Sequence, residues 1–337
     1  LGFGHAPTAV LEAMNKPHVM ANVMTPSLTQ LNFTERLAQE IGHTRADGFP
    51  FSTFICLNSG SEAMTVASRI ADINAQILTG PGGRHEGRNI CGLTLRGSFH
   101  GRTDRPARFS DSTLAKYEQH LASFQESDYL LTVDPNDVES LEAVFAEADA
   151  NNIFIEAFFM EPVMGEGNPG LAIESAFYQR ARELTQEHGA MVVVDSIQAG
   201  LRALGVLSIV DYPGFQDLDA PDMESYSKAL NAGQYPLSVL ALSDRCASAY
   251  RRGLYGNTMT SNPRALDVGI AVLNSVDDDL RENIHARGLQ LREKLGALAE
   301  ELEDAVVSAQ GTGLLLSCEL AGRYKVHGAD STEDYLR

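Results

Sequence analysis

Five short, almost wholly apolar runs at 51–57, 90–95, 153–161, 191–195 and 236–242 alternate with amphipathic stretches of helical period. No other feature constrains the fold as much. A strand without polar alternation has no face to give to water, so its sheet must be covered on both sides. Strands alternating with helices are the pattern of an α/β fold with a mainly parallel sheet. The helix signals agree. The stretch 62–77 follows Asn58-Ser59-Gly60-Ser61, a cluster of small N-capping residues. The stretch 137–148 follows Asp134-Pro135-Asn136, and 174–187 runs into His188-Gly189, a helix stop.

After Pro263 the pattern changes. Ile284, Leu291, Leu295, Leu298 and Leu302 recur at helical spacing, which predicts one long amphipathic helix, and 305–320 reads as strand. The expected organisation is an N-terminal segment 1–45, a large domain 46–262 and a smaller α+β C-terminal domain 263–337. Gly80-Pro81-Gly82-Gly83 reads as an exposed loop.

With 337 residues the chain can bury the cores of two domains. Its 45 acids against 26 bases give a net charge of −19, which argues against a nucleic-acid surface. Cys56, Cys91, Cys246 and Cys318 are scattered, without ligand spacing for a metal. They fit free thiols in a cytoplasmic protein. No apolar run reaches the roughly 18 residues of a membrane span. No leader peptide is recognisable, and the chain opens at Leu1 without a methionine.

The chemistry-bearing residues sit just past the strands. Asn58–Ser61 joins the first run to a helix, where free N–H groups suit a phosphate. Gly97-Ser98-Phe99-His100-Gly101-Arg102 offers a flat aromatic and a guanidinium that can clamp a carboxylate. Glu161-Pro162-Val163-Met164-Gly165-Glu166 places two glutamates where open α/β sheets bind ligands. Each motif alone is equally an ordinary loop. Asp195 closes a buried strand, and a buried carboxylate needs a cation. Gln198 follows it, then Lys228 in Ser227-Lys228-Ala229, then Thr258 in Gly256-Asn257-Thr258. A lysine amine can hold an aldehyde as a Schiff base, and an aspartate can keep a pyridine nitrogen protonated. Together these are the requirements of pyridoxal phosphate.

The ordered set resembles the class III (subgroup II) pyridoxal-phosphate-dependent aminotransferases of fold type I. Ornithine, acetylornithine, 4-aminobutyrate and lysine ε-aminotransferases belong to that family. The resemblance runs from Leu1-Gly2-Phe3-Gly4 to Gly311-Thr312-Gly313. It implies that Lys228 carries the cofactor and shuttles the proton as general acid and base, with Asp195 on the ring nitrogen. Cofactor contacts would come from Ser59, Gly60, Ser61, Phe99, His100, Asp195, Gln198, Lys228 and Thr258. Thr258 would reach the phosphate of a neighbouring subunit, which implies a homodimer with shared sites. Arg102, Glu161 and Glu166 match positions that handle substrate. In the family the second glutamate pairs with a distant arginine and releases it for a dicarboxylate. The implied reaction moves an amino group from an ω-amino or diamino donor to a keto acid such as 2-oxoglutarate or pyruvate.

Three departures concern substrate choice, and all three are expected near the cofactor or the substrate entrance. Ser196 stands where the family has an acid, Arg202 is displaced by one position, and Met164 replaces a frequent glutamine. Two other readings stay open: an isomerase of the same fold (aminomutase or racemase), and a pyridoxal-phosphate-binding protein without catalysis. A nicotinamide enzyme is disfavoured because no Gly-x-Gly-x-x-Gly follows a strand.

Overall fold

The structure, a computed structural model, describes residues 2–20, 25–125 and 129–324. Seven strands form one sheet: β1 (Thr53–Leu57), β2 (Asn89–Leu95), β3 (Leu130–Val133), β4 (Ile153–Met160), β5 (Met191–Asp195), β6 (Met223–Tyr226) and β7 (Ser238–Leu242). Their order in space is β1-β7-β6-β5-β4-β2-β3. Strands β3, β2, β4, β5 and β6 are parallel, and β7 runs antiparallel to both β6 and β1. The expected mainly parallel sheet is present, and all five apolar runs are strands with ends shifted by at most two residues.

Helices α1 (Thr8–Met14) and α2 (Leu28–Glu40) precede the sheet, and α3 (Gly60–Thr79) follows β1. Two short helices, α4 (Asp104–Arg108) and α5 (Asp111–His120), lie beyond β2; α6 (Val138–Ala150) and α7 (Ser175–His188) lead into β4 and β5. Residues Ala63, Met64, Ala67 and Ile70 of α3 pack with Phe159, Val193, Met223 and Leu240 on one face. On the other face Leu141, Phe145, Phe177 and Tyr178 meet Ile155, Phe158, Val192 and Val194. Successive valines of β5 therefore point to opposite layers, as a strand's two-residue period requires. Each such side chain, fully buried, contributes roughly 1.5–3 kcal/mol.

Beyond β7 come α8 (Asp244–Ala249), α9 (Pro263–Asn274) and the expected long helix, α10 (Asp278–Glu301). The 305–320 tract is an antiparallel hairpin, β8 (Val306–Thr312) and β9 (Leu315–Leu320). Its turn needs Gly313: φ is 56°, and a Cβ there would lie 1.4 Å from the carbonyl oxygen of Ala203. Among the described residues no helix is long and apolar enough to cross a membrane.

Candidate active site

The C-terminal ends of β2, β4, β5 and β6 open on a cleft of about 510 Å³. At its floor α3 begins with a capping box. The Glu62 N–H donates to Ser59 Oγ, while the Glu62 carboxylate accepts from the N–H groups of Asn58 and Ser59 at 2.8 and 3.0 Å. Burial works against the Glu62 charge, but these bonds and those from Tyr255 and Asn257 hold it below the usual carboxylate range. Gly60 and Ser61 are the first residues of the helix, so their N–H groups have no carbonyl behind them within it. A Cβ at Gly60 would lie 2.6 Å from Ile197, so no other residue fits there without displacing the cleft wall.

Asp195 ends β5, 4% exposed. Its Oδ2 lies 3.0 Å from His100 Nδ1, and Oδ1 accepts from the Ile197 N–H at 3.2 Å and the Ser225 hydroxyl at 3.3 Å. A carboxylate only accepts, so Nδ1 of His100 carries a proton toward it, while Nε2 lies 3.2 Å from Thr94 Oγ1, whose hydroxyl donates to the Phe159 carbonyl. His100 thus stands behind Asp195. Lys228 follows β6 in a single helical turn with φ 40°, left-handed backbone that costs a lysine on the order of 1–3 kcal/mol. Its ammonium donates to Gln198 Oε1 and faces the cleft. Strain at that one residue turns the side chain away from the sheet and into the open space.

Phe99 lines the cleft, with the Arg102 guanidinium 5.3 Å from its ring centre. Arg102 and Glu166 meet at the rim, 3.8 Å apart and both exposed. Glu161 is buried, and its oxygens accept from the N–H groups of Phe99 and Gly165. Burial first, then the nearby Asp195 charge, pushes Glu161 well above the usual carboxylate range. The cleft therefore gathers every expected residue except Arg102 and Thr258 into its lining. Arg102 stands at the rim through Glu166. Thr258 is exposed on the far side of Asn257, which with Tyr255 is tied to Glu62.

Two departures lie elsewhere than expected. Met164 is wholly buried in the core. Arg202 lines a separate cavity of about 230 Å³ with Phe3, Leu280 and Leu314. Neither side chain lines the cleft, because a loop residue's direction is set by packing rather than by its distance along the chain.

The third departure has a counterpart on the next strand. Glu224 of β6 sits with its oxygens 2.5 Å from the hydroxyls of Ser196 and Ser208 and accepts from the Ile209 N–H. Nothing in the apolar pattern marked Glu224 or Ser225; two polar residues inside the short segment before Lys228 were the only signal. Burial, only partly offset by these donors, pushes Glu224 up to about 7. The folded state then keeps this proton to higher pH than the unfolded chain. Stability contributed here falls as pH rises from the ordinary carboxylate value to about 7 and stays lost above it. Glu224→Gln is expected to gain on the order of 3 kcal/mol relative to the parent between pH 4.5 and 8. Urea unfolding at both pH values measures this; a flat difference would show an ordinary carboxylate.

A buried aspartate beside an exposed amine, at the carboxyl edge of a doubly covered parallel sheet, defines a cofactor-dependent α/β enzyme. The description "Aminotransferase class-III" matches residues 1–335, and the chain belongs to that family. It is a pyridoxal-phosphate-dependent aminotransferase. An acetylornithine aminotransferase from Nostoc sp. is 29% identical, over 97% of this chain and 72% of that protein. One from Neisseria meningitidis serogroup A is 28% identical, over 99% and 77%. The ornithine aminotransferase structure from Toxoplasma gondii superposes with a TM-score of 0.74 at 23% identity, covering 96% of this chain and 72% of that one. N-acetylornithine aminotransferase from Stenotrophomonas maltophilia gives 0.69 at 24% identity, covering 96% and 73%. The residues fit the cofactor: an amine free to reach the cleft, a carboxylate whose hydrogen-bond partners are all donors, and an anion-ready helix start.

Proposed function

We propose that this aminotransferase takes its amino group from an ω-amino or diamino acid and passes it to a keto acid such as 2-oxoglutarate or pyruvate. The observation that carries the reading is Arg102. Its guanidinium is 62% exposed and only loosely paired with Glu166 at 3.8 Å, so a substrate carboxylate can take Glu166's place. The names of the relatives, acetylornithine and ornithine aminotransferases, agree with a donor that presents a terminal amine.

Pyridoxal phosphate, when bound, supplies an aldehyde that captures amines and a protonated ring that draws electrons. Lys228 would attach it and would then give and take the proton at the carbon that bears the transferred amine. Asp195 holds the ring nitrogen's proton, with His100 fixing the carboxylate from behind. Gln198 takes the ring hydroxyl, and Phe99 lies against the ring. The N–H groups of Gly60 and Ser61 and the hydroxyls of Ser59 and Ser61 take the phosphate.

Thr258 serves the phosphate of a second copy. In support, the segment around it exposes Leu254 and Met259, and a groove beside it is lined by Pro26, Phe54, Tyr250 and Tyr255. The protein is then a homodimer. Four cysteines outside any disulfide agree with a cytoplasmic location. The division at 46 and 263 into three parts is retained, with the β8–β9 hairpin supporting a separate small C-terminal unit.

The test gives the loaded protein a panel of ω-amino and diamino acids with no acceptor. The expected result is loss of the visible cofactor band with release of one aldehyde or keto product, restored by 2-oxoglutarate or pyruvate. Donor consumed without such a product would rule the reading out.

A further inference from the structure

We infer that Glu161 is a positioning residue: its carboxyl clamps together the two loops that flank the cleft and sets the plane of Phe99, without touching substrate. The inference rests on the reading that Phe99 lies against the cofactor ring. Strands β2 and β4 are neighbours, and the loops 97–102 and 162–167 leave their ends side by side. Three ties join these loops, running from the buried interior outward. Innermost is Glu161, 2% exposed, with Oε2 accepting from the Phe99 N–H at 3.0 Å and Oε1 from the Gly165 N–H at 2.9 Å. Next, the Gly167 N–H donates to Gly97 O at 3.0 Å. The backbones approach so closely there that a Cβ on Gly167 would lie 2.2 Å from that oxygen. Outermost is the exposed Arg102–Glu166 pair.

The inner tie holds the Phe99 backbone, whereas the outer one reaches only its ring face, through Arg102. Both oxygens of Glu161 accept from backbone donors, one in each loop. The role also explains Gly165: a Cβ there would lie 2.9 Å from Glu161 Oε1 and 3.1 Å from Gln198 Cγ. The clamp therefore links the residue against the ring to the one beside Lys228. The outer pair can open to admit a carboxylate while the inner clamp keeps Phe99 in place. Glutamine cannot replace the acid, because its amide turns a donor toward one of the two N–H groups. Aspartate keeps the carboxyl group but is one methylene too short to span both.

The experiment loads the parent, Glu161→Gln, Glu161→Asp, Phe99→Leu and the Glu161→Gln/Phe99→Leu double variant with pyridoxal phosphate. It measures cofactor release and the visible circular dichroism of the bound cofactor. Hydrogen exchange at the Phe99 and Gly165 amides is followed in cofactor-free protein. Both Glu161 variants are expected to release cofactor about tenfold faster, with weakened dichroism and with both amides losing protection. The double variant is expected to release it no faster than Phe99→Leu, because the two residues act as one unit. Multiplying effects, amides that stay protected, or parent-like retention with a raised donor KM would overturn the clamp. A parent that binds no pyridoxal phosphate at all would instead overturn the site reading, and this inference with it.

Discussion

Lys228→Ala is expected to lose turnover by about 10⁴-fold, the upper end of what a positioned acid–base group contributes, while the protein stays folded. The side chain reaches into open space and, among the described residues, hydrogen-bonds only Gln198, so its removal leaves no buried hydrogen-bonding group without its partner. The left-handed backbone at φ 40° strains alanine as it strains lysine, so that cost cancels between the two proteins. Unfolding stability should therefore stay within about 0.5 kcal/mol of the parent. Two further measurements separate lost chemistry from lost structure. Cofactor should leave the variant on dialysis, since its covalent anchor is gone. A small amine such as methylamine, added to the buffer, should restore part of the rate in proportion to its concentration, because it fits the space the side chain vacates. Turnover that survives the substitution would remove Lys228 from the mechanism.

The frame was legible where burial leaves a residue no choice. Met191–Val194 can only be a central strand, and Ser59 with Glu62 three residues later can only open a helix. The order of the site residues was legible for a related reason: each motif follows a strand end, and parallel strands bring their carboxyl ends to one edge. What escaped is lateral. His100 meets Asp195 across 95 residues of chain, and Ser225 meets it through the register that pairs Asp195 with Ser225. Neighbouring strands are a property of sheet order, which no local pattern encodes. The same holds for Glu161, which looked like a ligand for substrate because it ends a strand. One of its oxygens accepts from the loop of the adjacent strand, at Phe99, and the other from its own loop, at Gly165.

Asp195→Asn is expected to lower kcat by about 10²- to 10³-fold, comparable to removing one preorganised electrostatic contact, with the fold and most cofactor affinity kept. The carboxylate accepts from His100, Ile197 and Ser225, and every neighbour that bonds it is a donor. Asparagine keeps the shape and one acceptor oxygen but places an amide donor against one of the three. His100 can absorb that change by moving its proton to Nε2, since Thr94 Oγ1 at 3.2 Å can accept. The site then survives without its negative charge, so what is lost is the group that keeps a ring nitrogen protonated. The loss should appear in kcat and kcat/KM together rather than in KM alone. A cofactor analogue methylated on the ring nitrogen carries its positive charge permanently and has no proton for Asp195 to hold. It should narrow the gap between Asp195→Asn and the parent, which only the loss of a counter-ion explains. An equal deficit with either cofactor would make Asp195 a packing residue and leave the ring nitrogen without an assigned partner.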